Sequence, residues 1–217
     1  MKKNMYSLIL MEDVVREIDK IALQRNTNRS NLINQILAEY VSLMTPEKRI
    51  SNIFQEIENM MNETRELIPF VMPNQQTMTL KSSLEYKYRP TIKYEVELYR
   101  VPNGAIGELK VIFRTQSAEL LNALTAYFRL WKRLEDTYIA KYFTEQPISY
   151  QLYDGRFIRS IAIPTNRDYS NQDIADAIAA YIRMFDELMK GYLNGKYSAA
   201  ELEARYISYL NQGTGLL

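Results

Sequence analysis

The side chains that carry much of enzyme and metal chemistry are missing from this sequence: its 217 residues include no His and no Cys. Disulfides, thiolate and imidazole metal sites, and Cys or His nucleophiles and bases are excluded with them. What remains is carboxylates, amines, guanidinium groups, hydroxyls and many rings, with 17 Tyr, 7 Phe and 1 Trp. The seven glycines are scattered, so no loop cradles a phosphate, and no nucleophile is spaced with a base. The expectation is a protein that is not an enzyme and uses no metal or other cofactor. One ring group stands out for binding: Tyr127, Trp131, Tyr138, Tyr181, Phe185 and Tyr192, repeated at helical spacing in AYFRLWKRLEDTYI and AYIRMFDELMKGYL. Such rings are either plain core or the wall of an effector pocket for a small organic molecule.

The composition allows a core to hold these groups. Hydrophobic residues make up 47% and charged residues 24%, as in an ordinary globular protein. The net charge of +1 gives no global pull toward polyanions, so local patches matter. Charge is segmented: residues 1–50 hold 8 basic and 6 acidic side chains, and 51–80 hold 1 and 4. Residues 81–143 hold 11 and 7, and 144–217 hold 7 and 9. Lys2 and Lys3 before MYSLILM imitate a signal peptide, but the apolar run stops at Glu12-Asp13 without a small-residue cleavage site. No stretch reads as a membrane span, and a cytoplasmic location is expected.

The first elements are short. MYSLIL alternates Tyr6, Leu8 and Leu10 with Met5, Ser7 and Ile9 and reads as one strand with two unlike faces. A helix follows from about Glu12 to Arg25, with Val14 or Val15, Ile18, Ile21 and Ala22 on one face. Asn26 suits the left-handed residue that ends it, and Asn28 suits the cap of a second helix from about Arg29 to Leu43. Leu32 or Ile33, Ile36, Leu37, Tyr40 and Val41 form the stripe of that helix. A lone strand leaves its backbone unpaired, and so few residues bury too little to stand alone. Two copies solve both problems, with the strands paired antiparallel, so an obligate homodimer is expected.

The stretch YSLILMEDVVREIDKIALQRNTNRSNLINQILAEYV resembles the ribbon–helix–helix DNA-binding family of the MetJ, Arc and CopG repressors, in the order and spacing of its strand and helices. The resemblance covers about a fifth of the chain. It implies a two-stranded ribbon in the major groove of double-stranded DNA, with Met5, Ser7 and Ile9 facing the bases. It also implies a phosphate held where the second helix opens, at Asn28, Arg29 and Ser30, while Lys2 and Lys3 reach the DNA from the chain end. The sequence departs from the family in its readers: Met5 and Ile9 offer only apolar contact where polar side chains are usual.

Residues 46–80 read as a connecting helix and linker. Ile50, Ile53, Phe54, Ile57, Met60, Met61 and Leu67 give either an amphipathic helix packed on a domain or a short coiled coil, and Pro69, Pro73 and Asn74-Gln75-Gln76 a loop. Residues 81–217 read as a tandem duplication of a strand–strand–helix unit. KSSLEYKYRPTIKYEVELYR alternates, with Leu84, Tyr86, Tyr88, Ile92, Tyr94, Val96 and Leu98 on one face and Pro90 at an edge, bulge or break. ELKVIFR returns after Pro102-Asn103-Gly104, and a helix spans about Ser117 to Tyr142. ISYQLY, Asp154-Gly155, RFIRSIAIP and a helix from about Asn171 to Leu193 repeat the order, before Ser198 and Glu201 cap a last helix. A shift of 54 places Ala123, Ala126, Tyr127, Arg129, Leu134 and Tyr138 on identical residues, which suggests a four-stranded antiparallel sheet backed by two helices.

The expected fold class is thus α+β: a ribbon–helix–helix over 1–45, a connector over 46–80 and a duplicated sensing or oligomerisation domain over 81–217. The expected function is a dimeric DNA-binding transcriptional regulator whose second domain binds a small organic effector, a protein partner or further copies. The alternatives are a partition or relaxosome-type DNA-organising protein of a plasmid or mobile element, and an interaction module in which the ribbon is only a dimer clamp.

Overall fold

The computed structural model describes residues 4–62, 67–71, 76–84, 90–153, 155–164 and 168–213. Among these residues it is mixed α+β, with six α-helices and a six-stranded antiparallel sheet. Two compact units divide the chain at Thr45/Pro46.

In the first unit, Asn4–Met11 leads into α1 (Glu12–Gln24), and α2 (Arg29–Tyr40) follows. Asn26 adopts φ +50°, the left-handed turn that frees the chain from α1. Asn28 is extended, and its side chain accepts from the Asn31 N–H at 2.9 Å, satisfying a donor at the opening of α2. Asn4–Met11 forms no strand in the single chain among the described residues, where the expected ladder would need a second copy. Of the apolar side chains here, Ala22, Leu32 and Ala38 alone are buried among the described residues.

The second unit begins with α3 (Pro46–Asn62), which buries Ile50, Ile53, Phe54, Ile57 and Met61. These residues belong to the main core of this unit, so the helix is part of a domain and its stripe is spent there. The expected loop is replaced in part by strands β1 (Ile68–Val71) and β2 (Thr77–Ser83); residues 72–75 lie outside the described ones. Pro69 is tolerated because β1 is the outermost strand, where a missing N–H costs no ladder bond on the open side.

The next strands are β3 (Thr91–Asn103), β4 (Ala105–Phe113), β5 (Tyr150–Tyr153) and β6 (Arg156–Ile161). The sheet order is β1-β2-β3-β4-β6-β5 with every pair antiparallel. Six strands therefore replace the expected four. The single long alternating stretch around Pro90 is a hairpin, with Ser83 opposite Thr91 and the Leu84 N–H donating to the Pro90 carbonyl. Tyr86 and Tyr88 lie outside the described residues; Leu84, Ile92, Tyr94, Val96 and Leu98 share the buried face as expected. Gly104 (φ +82°) and Gly155 (φ +65°) make the two later turns, and Asp154 lies outside the described residues.

Helices α4 (Ala118–Tyr138), α5 (Asn171–Leu193) and α6 (Ala199–Asn211) complete the unit. Ser117 caps α4, and full capping boxes open α5 (Ser170 with Asp173) and α6 (Ser198 with Glu201). One core cluster joins the inward residues of the sheet to α3, α4, α5 and α6. The opposite sheet face carries Lys93, Glu95, Glu97, Glu108 and Lys110, all half-buried. Among the described residues no helix is long and apolar enough to cross a membrane.

Candidate nucleic-acid interface

Met5, Ser7 and Ile9 are exposed, as a surface that meets bases must be. Tyr6, Leu8 and Leu10 are exposed too, at 81%, 63% and 40%, so both faces of the alternating segment are open in the single chain. Lys2 and Lys3 lie outside the described residues.

At the opening of α2, Asn28, Arg29 and Ser30 are side by side and exposed. Two of the three already have internal tasks. Asn28 caps its own helix through Asn31. Arg29 forms a two-pronged contact with Asp19 of α1, Nε to Oδ1 at 2.7 Å and Nη2 to Oδ2 at 2.5 Å. That hydrogen bond holds the Asp19 carboxyl below its ordinary range and raises the Arg29 guanidinium above its own.

The aromatic group comes together inside the second unit, but as solid core. Tyr127, Trp131, Tyr181 and Phe185 are buried, and Tyr192 and Tyr138 are half-buried at its margin. Trp131 meets Phe185 edge-on at 4.8 Å between centroids, and Tyr127 lies 5.4 Å from Phe185 and 5.6 Å from Tyr192. Tyr138 joins through Tyr206, which in turn packs on Trp131. Trp131 Nε1–H donates to Tyr181 Oη at 2.8 Å, and the Tyr127 hydroxyl donates to the Phe185 carbonyl at 3.2 Å. The rings thus form core, the first of the two readings, and the Tyr138 hydroxyl at the margin donates to Glu203 at 2.7 Å. Burial pushes the Tyr127 and Tyr181 phenols well above their ordinary range.

Comparison with known protein families, curated proteins and solved structures gives no match.

The lysines of the outer sheet face are paired with its own carboxylates. Lys93 pairs with Glu95, and Lys110 with Glu97 at 3.0 Å and Glu108 at 2.6 Å. Two polar groupings escaped the sequence reading. Tyr94 Oη donates to Asp186 Oδ1 at 2.8 Å, Ser82 Oγ to Asp186 Oδ2 at 3.1 Å, and Lys190 Nζ to both Ser82 and Asp186 at 2.6 Å. A Ser–Lys contact is a nucleophile–base geometry, but Lys190 donates here to a hydroxyl and a carboxylate at once. Ser82, Tyr94 and Asp186 are sealed from solvent, so the cluster clamps α5 to β2 and β3 rather than exposing a nucleophile. The second grouping is the buried pair of Arg159 on β6 and Glu135 on α4. Helical spacing carried a signal for both: Glu135 and Asp186 fall on apolar stripes, next to Leu134 and Phe185. Lys190 follows Asp186 by four places, within helical pattern, but Arg159, Ser82 and Tyr94 lie 24 to 104 residues from their partners, beyond it.

Proposed function

We propose that this chain is a dimeric DNA-binding regulator whose N-terminal segments pair across two copies as an antiparallel ribbon, in the ribbon–helix–helix manner. One observation carries the dimer. Among the described residues of the first unit fifteen large apolar side chains are exposed, including Tyr6, Leu8, Leu10, Ile21, Leu37 and Tyr40, against the three apolar ones that are buried. So open an apolar surface on so small a unit calls for a covering partner, and a second copy supplies matching strands and stripes. The DNA assignment is supported by the resemblance of residues 6–41, and by the opening of α2 at Asn28, since the first N–H groups of a helix have no carbonyl of their own helix to bond.

The second unit is read as a domain that senses a ligand, binds a partner or adds copies. Its β3–β4–α4 and β5–β6–α5 segments repeat one order, and β4 lies beside β6 in the sheet, which supports origin by tandem duplication. A DNA-organising role is the second reading, favoured by the apolar character of exposed Met5 and Ile9, which offer no hydrogen bonds to base edges.

The test is selection of bound genomic fragments by the full chain and by a chain lacking residues 1–10, across a salt series, with sedimentation of both. A motif recovered only by the full-length dimer supports the regulator. Motif-free recovery with steep salt dependence favours the organiser. A monomeric full chain, or no recovery at any salt, overturns the proposal.

A further inference from the structure

We infer that Asp19 is an internal competitor for DNA phosphate: it occupies the Arg29 guanidinium in the free protein and is displaced when DNA binds. This rests on the DNA-binding reading above. Both oxygens of Asp19 are engaged by two nitrogens of the same guanidinium, at 2.7 and 2.5 Å, which is the planar fork by which arginine holds a phosphate. The two side chains are about half exposed, 45% for Asp19 and 53% for Arg29, so a phosphate can reach Arg29 from solvent without unpacking a core. Arg29 is the first residue of α2, and Asn28 fixes that end through its cap, so the guanidinium is presented from a rigid point. Asp19 sits on α1, ten positions earlier, held by a regular helix.

The consequence is a specificity device. A contact with any stretch of DNA must first break the Asp19 fork, so weak, sequence-independent contacts gain little from Arg29. Only a site that brings other contacts at the same time recovers the difference. Asp19 is then a specificity-determining residue that never touches a base. A nearly neutral chain would use it to stay off bulk DNA.

The experiment measures binding of full-length protein to a short mixed-sequence duplex across a salt series, for wild type, Asp19→Asn and Asp19→Asn with Arg29→Gln. Circular dichroism melts check the fold, and Asp19→Ala replaces Asp19→Asn if the latter does not fold. The expected result is tighter binding by Asp19→Asn, with a salt slope steeper by about 0.9 for each Arg29 released, so about 1.8 per dimer. The gain must vanish in the double variant. A gain that survives Arg29→Gln is a bulk charge effect and overturns the inference. Unchanged affinity and slope in Asp19→Asn, with wild type binding DNA, overturn the inference alone. No binding by any variant at any salt overturns the DNA-binding reading with it.

Discussion

Arg159 and Glu135 meet inside the second unit with 1% and 0% of their side chains exposed, Nε donating to Oε2 at 2.9 Å. Arg159 lies opposite Leu109 across the β4–β6 pair, on the buried face between Phe157 and Ile161, and its guanidinium rests 4.5 Å from the centroid of Tyr181. Glu135 Oε1 has no hydrogen-bond partner among the described residues. A charged pair in a core costs desolvation on both sides, and its attraction offsets that only while both members remain.

Removing one member should therefore harm more than removing both. Arg159→Met or Glu135→Leu alone is expected to lower unfolding stability by about 3–5 kcal/mol, by stranding the other charge. The double variant is expected to recover most of the loss. Urea unfolding of the three proteins checks this. A double variant as unstable as the sum of the singles would show that the site needs the ions.

The Asp186 cluster makes a different prediction. Tyr94→Phe deletes the donor to Asp186 Oδ1 while keeping the ring, which packs edge-on to Phe185 at 6.3 Å. A loss of about 1–3 kcal/mol is expected, because a buried carboxylate oxygen loses its partner. Asp186→Asn keeps the shape and removes the charge facing Lys190, so Asp186→Asn and Tyr94→Phe should be non-additive in a double-mutant cycle.

Gly191 is required by a close approach. A Cβ at this position would stand 2.1 Å from Cε2 of Tyr197, a ring that also carries the Arg205 guanidinium at 4.2 Å. Gly191→Ala is expected to destabilise by about 1–3 kcal/mol despite the better helix propensity of Ala. Pairing it with Tyr197→Ala should remove the clash, so the second substitution should cost less in the Gly191→Ala background than in wild type. Thermal melts of the four proteins read this directly.

Alkaline pH should unfold the second unit. Burial is the first cause that pushes up the phenols of Tyr94, Tyr127, Tyr181 and Tyr209, and the hydrogen bond to Glu187 adds to it at Tyr209, which reaches about 12. A phenol with a raised folded pKa binds its proton more tightly folded than unfolded. Its contribution is complete below the ordinary value of 10 and is lost as pH rises above it, through about 12 for Tyr209. Ultraviolet titration should show the buried tyrosines ionising only with loss of far-ultraviolet ellipticity. Full ionisation of all tyrosines with the fold intact would contradict the packing described.

Local signals in the sequence determined the helices and where they begin, while α2 stops at Tyr40 and α4 at Tyr138, short of the expected Leu43 and Tyr142. Asn26, Asn28, Ser117 and the Ser198–Glu201 box act within a few residues, so their effect could be read directly, and α1, α2, α4, α5 and α6 begin within a residue or so of the expected positions. Alternation placed Ile92, Tyr94, Val96 and Leu98 on one face for the same reason. Tertiary structure decided everything that depends on a distant partner. A strand with Pro69 becomes acceptable only once it is known to lie at the edge, and α3 is core only because the sheet and α5 receive its stripe. The six rings gave the same periodicity whether they lined a cavity or filled one, and only packing distances separate the two. The pairing of Arg29 with Asp19, of Arg159 with Glu135 and of Ser82 with Asp186 joins residues that no short-range pattern links, because side chains find such partners only after the elements that carry them have docked.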